Sequence, residues 1–111
     1  MISDLEYLNG KLTWTTTTGE KIEKEYAGAT YISDSNTVVV LYDESSIAVA
    51  LNEKGEEICR ISNSEDTYLM YLVNHKNFNL CVAASHKEGD AWRDMYLRFD
   101  GKAFVKASDA R

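Results

Sequence analysis

No proline occurs in the 111 residues, and the groups that most often carry chemistry are scarce, with two cysteines and two histidines. Without proline, no slow prolyl isomerisation limits folding, and turn geometry falls to glycine, asparagine and aspartate. No apolar run approaches the roughly 18 residues that a membrane-spanning helix needs. Residues 1–11 lack the basic stretch and apolar core of a secretory signal, so a cytoplasmic, non-membrane protein is expected. Cys59 and Cys81 each sit in an apolar strand pattern. A reducing compartment keeps such thiols as small buried hydrophobes rather than as a disulfide. The glycines are scattered singly where turns need them, which excludes a glycine-rich phosphate loop.

Basic residues are also in the minority. Twelve Lys and Arg stand against 18 Asp and Glu, a formal charge of −6. That balance aids solubility, opposes binding to phosphate backbones or anionic membranes, and favours a cationic partner. With 44% hydrophobic residues, the chain is expected to form a single domain, 1–111, large enough to bury a core without staples.

What is present is β-structure. Val38, Val39, Val40 and Leu41 form a β-branched apolar run too short for a globular helix, and they predict a central strand. Turn signals at 34–36, 43–46 and 52–55 flank it about every ten residues, so 30–62 reads as a four-stranded meander. Within it, Ile47, Val49 and Leu51 alternate with Ala48 and Ala50, so one face carries only small side chains. Asn9-Gly10 predicts a first hairpin pairing Tyr7 with Leu12 and Leu5 with Trp14, while 20–26 suits either a helical turn or an edge strand. Residues 68–73, YLMYLV, are apolar at both parities and predict a strand covered on both faces, with 79–85 a second buried strand. Asp100-Gly101 predicts a tight last hairpin pairing Phe99 with Lys102 and Leu97 with Phe104.

Residues 30–62 align weakly with 68–108, each about the length of a propeller blade, and the pair resembles two such blades. Two blades cannot close a ring. The expected fold is therefore all-β: an antiparallel meander of about 8–10 short strands forming a strongly curved sheet, half-barrel or two-layer sandwich.

Candidate chemistry is thin. His75 and His86 fall in segments that read as polar loops, and the best local ligand set, His86 with Glu88 and Asp90, is short of a metal site. No metal or cofactor is expected. Ser85 and His86 are neighbours on a strand and point to opposite faces, which makes no dyad. The carboxylate pairs Asp43-Glu44, Glu56-Glu57 and Glu65-Asp66 read as solvated turn charges. One pattern stands out: Trp92, Asp94, Tyr96 and Arg98 alternate along one strand and so share a face. Trp, Tyr and Arg are the types enriched at binding hot spots, although the same face buried under another layer would be core. Glu65 and Asp66 in one loop, with Glu88 and Asp90 in another, form a single negative patch if the loops emerge at one end of the sheet.

The expectation is a binding module for a basic protein, not an enzyme. At class level the chain looks like immunity proteins that block bacterial nuclease toxins: small, acidic, and offering aromatic and acidic residues together. Its partner-binding residues are expected at Glu65, Asp66, Glu88, Asp90, Trp92, Asp94, Tyr96 and Arg98, on a monomer or weak dimer with no nucleic-acid partner. The alternatives are a small-ligand or carbohydrate-binding β-domain that stacks a ring on Trp14 or Trp92, or a structural subunit that oligomerises through edge strands.

Overall fold

Segments rich in Val, Ile, Tyr and Thr, separated by Asn, Asp and Gly, favour extended backbone and reversing turns. The computed structural model describes residues 1–109, and its regular structure is entirely antiparallel β. Eleven strands follow one another: β1 (Ser3–Leu8), β2 (Lys11–Thr15), β3 (Lys21–Glu25), β4 (Thr30–Ser33), β5 (Thr37–Tyr42), β6 (Ile47–Asn52), β7 (Glu57–Ser62), β8 (Thr67–His75), β9 (Asn79–Glu88), β10 (Ala91–Phe99) and β11 (Phe104–Asp109). They form three successive meanders, β1 to β3, β4 to β7 and β8 to β11. None of the helices that could cross a membrane is present among the described residues.

The three sheets stack face to face. Leu12 and Trp14 of the first sheet pack on Val38, Val40, Val49 and Leu51 of the middle one. The other face of the middle sheet, Val39, Leu41, Ala48 and Ala50, packs on Leu69, Leu80, Val82, Ala84 and Met95 of the last. β5 is therefore apolar at consecutive positions because both of its faces are covered. β4 lies against β8 and β7 against β11, so the last sheet repeats the middle one a layer further on. The fold is the all-β antiparallel meander that the strand and turn pattern implies, arranged in three layers because β1 to β3 make a sheet of their own.

Local differences have local causes. Tyr7 pairs with Leu12, but an irregularity between Ser3 and Glu6, with Asp4 at φ 55°, displaces the expected Leu5–Trp14 pairing. Leu5 still packs on the same core as Trp14. Residues 21–25 form an edge strand and not a helical turn. The last hairpin closes through four residues, with Phe99 opposite Phe104 and Leu97 opposite Lys106. Its two-residue turn loses to a wider one because the Asp100 carboxylate accepts the backbone N–H groups of Lys102 and Ala103 at 2.8 and 2.9 Å. The shift is two residues, which preserves the faces: Met95, Leu97, Phe99 and Phe104 all turn inward. His75 and His86 lie in strands, not loops, since β8 and β9 run on to include them.

Candidate functional site

Alternate residues of β8, β9 and β10 point away from the middle sheet. Strand register sets them in rows across this outer face. Lys87 stands beside Trp92; below come Tyr68, Ser85 and Asp94, then Tyr71, Ala83 and Tyr96, then Val73, Cys81 and Arg98 with Val105. Tyr68 and Tyr71 are three residues apart and should face opposite ways. A bulge between Leu69 and Tyr71 inserts one extra residue and turns both tyrosines outward.

The expected second cover over 68–73 is missing: Tyr68, Tyr71 and Trp92 are 49%, 52% and 44% exposed. Leu69 and Leu72 alone of that segment's larger aliphatics turn into the core. Yet Cys81 and Ala83, also outward, are fully buried. Ala83 lies between Tyr71 and Tyr96, and Cys81 between Val73 and Arg98, so larger side chains on the flanking strands border each of these small residues. Towards the other end of β9, beside Ser85 and Lys87, Tyr68 and Trp92 meet with ring centroids 5.2 Å apart and planes tilted by 36°. Away from that end, His75 lies edge-on to Tyr96 at 4.9 Å and stacks on Phe78 at 4.6 Å. Burial pushes the Cys81 thiol pKa up, and the nearby Arg98 charge only partly offsets it. Cys59 faces the opposite core, so both thiols are free.

The acidic loops do emerge at one end of the sheets, where backbone hydrogen bonds lace them together. The Lys87 N–H donates to the Asp66 carbonyl at 2.7 Å, and the Asn63 N–H donates to the Ser46 carbonyl at 2.9 Å. That second bond draws in Asp43 and Glu44, which read from sequence as unrelated turn charges. Asp43, Glu44 and Ser45 all take left-handed φ, 55°, 57° and 66°, an unfavourable run for residues with a Cβ. Asn63 further accepts the Leu69 N–H at 2.8 Å, which fixes the entry to β8.

Of the eight anticipated residues, Glu65, Asp66, Glu88 and Asp90 lie at this end and Trp92 and Asp94 on the outer face next to it, whereas Tyr96 and Arg98 lie further down β10, Arg98 towards the opposite end. Glu88 is engaged by Arg93 at 3.6 Å and Lys106 at 3.8 Å. By contrast, among the described residues Glu65, Asp66, Asp90 and Asp94 are exposed carboxylates without an ion pair. Asp94 is open to solvent beside Trp92, while Tyr96 and Arg98 are half-buried. His86 Nδ1 is instead hydrogen-bonded to the Thr67 hydroxyl at 2.8 Å, and among the described residues no three His, Cys, Asp or Glu side chains gather as metal ligands. Sequence reasoning missed Tyr68 and Tyr71. The available signal was their chemistry, two tyrosines among aliphatics, which suits a half-wet face better than a dry core.

Trp14 is a different case, 1% exposed, with its indole N–H donating to the Glu53 carbonyl at 2.6 Å. An open cleft of about 400 Å³ lies beside it, between the β2–β3 and β6–β7 turns. A second, of about 410 Å³, is lined by Asp34, Asn77, Asn79, Arg98 and Asp100. In that cleft Asp34 and Asp100 already accept backbone N–H groups within their own turns. Compared with known proteins, the chain matches no family model, no curated protein and no solved structure.

Proposed function

We propose that the protein is a binding module that docks a basic protein on the outer face of its last sheet, most concretely a cytoplasmic immunity protein that blocks a basic bacterial toxin such as a nuclease. The observation that carries this reading is the half-exposed Tyr68–Trp92 pair bordered by unpaired carboxylates at Glu65, Asp66, Asp90 and Asp94. The carboxylates imitate the phosphates of the toxin's substrate and speed encounter, while the rings supply contact area that slows dissociation. The role assigned is occlusion of the partner, not catalysis.

The test is capture of partners by the tagged protein at low and high salt, with the retained proteins identified by mass spectrometry. A single stoichiometric basic protein, lost on Trp92→Ala or on Asp90→Asn with Asp94→Asn, supports the reading. A captured partner that ignores all of these substitutions refutes it. The exposed Trp92 beside Asp94 also favours a carbohydrate-binding reading, in which Trp14, being buried, takes no part. Saturable binding of a saccharide at Trp92 with no retained protein decides for that alternative.

A further inference from the structure

The chemistry of the docking face specifies what anchors there. We infer that the partner presents an arginine whose guanidinium stacks on Trp92 and is met by the Asp94 carboxylate. This rests on the proposed docking of a basic protein on the same face and names its anchor.

The argument begins with spacing. Trp92 and Asp94 are two residues apart on β10 and so point the same way, about 6.6 Å apart along the strand. A planar cation stacked within about 6 Å of a ring centroid gains from the ring's negative face, and it can still reach a neighbouring carboxylate in its own plane. Tyr68, paired with Trp92 at 5.2 Å and sharing a row with Asp94 across Ser85, completes an aromatic wall behind that position. Ser85 leaves space between them.

Charge complementarity points the same way. The upper end holds Glu65, Asp66, Asp90 and Asp94 against Lys87, which forms no ion pair among the described residues, while Arg93 and Lys106 nearby are engaged by Glu88. A second copy of this chain, itself at −6, meets repulsion there. Arginine fits better than lysine because its flat, weakly hydrated fork stacks and pairs with a carboxylate at once, whereas an ammonium is a compact, strongly hydrated point.

The two tryptophans make the site readable. Trp14 is buried and Trp92 half exposed, so acrylamide quenching of the intact protein reports Trp92. Blocked hexa-arginine and hexalysine peptides carry equal charge. At low salt, hexa-arginine is expected to shield Trp92 with an affinity about three- to tenfold tighter than hexalysine. Asp94→Asn, at an exposed position, is expected to retain the fold and erase most of that preference. Equal shielding by both peptides overturns the arginine anchor and leaves the basic-partner reading standing. Shielding by neither overturns both. A sedimenting dimer that shields Trp92 without any peptide assigns the face to self-association and also overturns the anchor.

Discussion

Gly55 offers the sharpest test of how the first sheet is held. It lies in the β6–β7 turn at φ +82°, and a Cβ built there would stand 2.7 Å from Ile22 Cγ2, 3.4 Å from Lys24 Cδ and 3.7 Å from Trp14 Cζ2. Those three atoms belong to β2 and β3, so this backbone is pressed against the first sheet. Gly55→Ala carries two penalties. The left-handed backbone disfavours any Cβ by about 1–2 kcal/mol. The contact with Ile22, far inside the roughly 3.5–4.0 Å optimum between carbons, forces a side-chain or backbone shift worth about 1–3 kcal/mol more. Gly28→Ala isolates the first penalty, because Gly28 has φ +61° and nothing within 4 Å. Urea unfolding of both variants, followed by far-ultraviolet circular dichroism, should place Gly55→Ala about 1–3 kcal/mol below Gly28→Ala. Equal losses would refute close packing of the turn on the first sheet.

Other expectations follow from single groups. The Asp100 pKa is held below the ordinary aspartate range by backbone hydrogen bonds from Ala103 and Lys102. A carboxyl depressed in the folded state stabilises above its unfolded pKa, and that stability is lost as pH falls through the lower folded value. Asp100→Asn keeps the accepting oxygen and removes the titration, so acid unfolding curves should show a shallower loss over that window; an unchanged slope counts against the assignment. Cys81 is fully buried with a raised thiol pKa. In the native protein at mildly alkaline pH it should resist iodoacetamide and react fully only in denaturant, as read by mass spectrometry. Stoichiometric native labelling of Cys81 would mean that the side chains of Val73 and Arg98 beside it move aside readily.

The fold was legible wherever local signals agreed. At 38–41 and 47–51, β-branched runs, period-two alternation and flanking turns all point to one answer, and the strands, their turns and their faces follow. Legibility failed where one side chain or one extra residue shifts a register. The Asp100 carboxylate converts a two-residue hairpin into a four-residue one, and the bulge before Tyr71 turns an apparently two-faced apolar strand into an aliphatic inner and a tyrosine-bearing outer face. At the site, Trp92, Asp94, Tyr96 and Arg98 were legible because they share one uninterrupted strand. Tyr68 and Tyr71 were not, since their place beside Trp92 is a matter of pairing across β9. The meeting of the acidic loops depends on backbone hydrogen bonds between segments distant in sequence, which composition cannot reveal.

The two ends of the stack are finished differently. The outward side of the first sheet gathers Asp4, Glu6, Thr13, Thr15 and Lys21, a polar surface that ends the layering in water. The last sheet presents Tyr68, Tyr71 and Trp92 instead. If those rings served mainly as core, truncating them would unfold the protein; if they serve a partner, it would chiefly abolish binding. The two tryptophans separate these cases. Truncation of a buried Trp removes about 3–5 kcal/mol, which is the loss expected for Trp14→Ala together with its hydrogen bond to Glu53. Trp92, with nearly half its surface in water, should lose about half as much, roughly 1.5–2.5 kcal/mol. Urea midpoints of the two variants, read beside the partner-capture assay, should show Trp92→Ala folded and silent in binding. A Trp92→Ala loss as large as that of Trp14→Ala would make the outer face a structural layer and remove it as the docking surface.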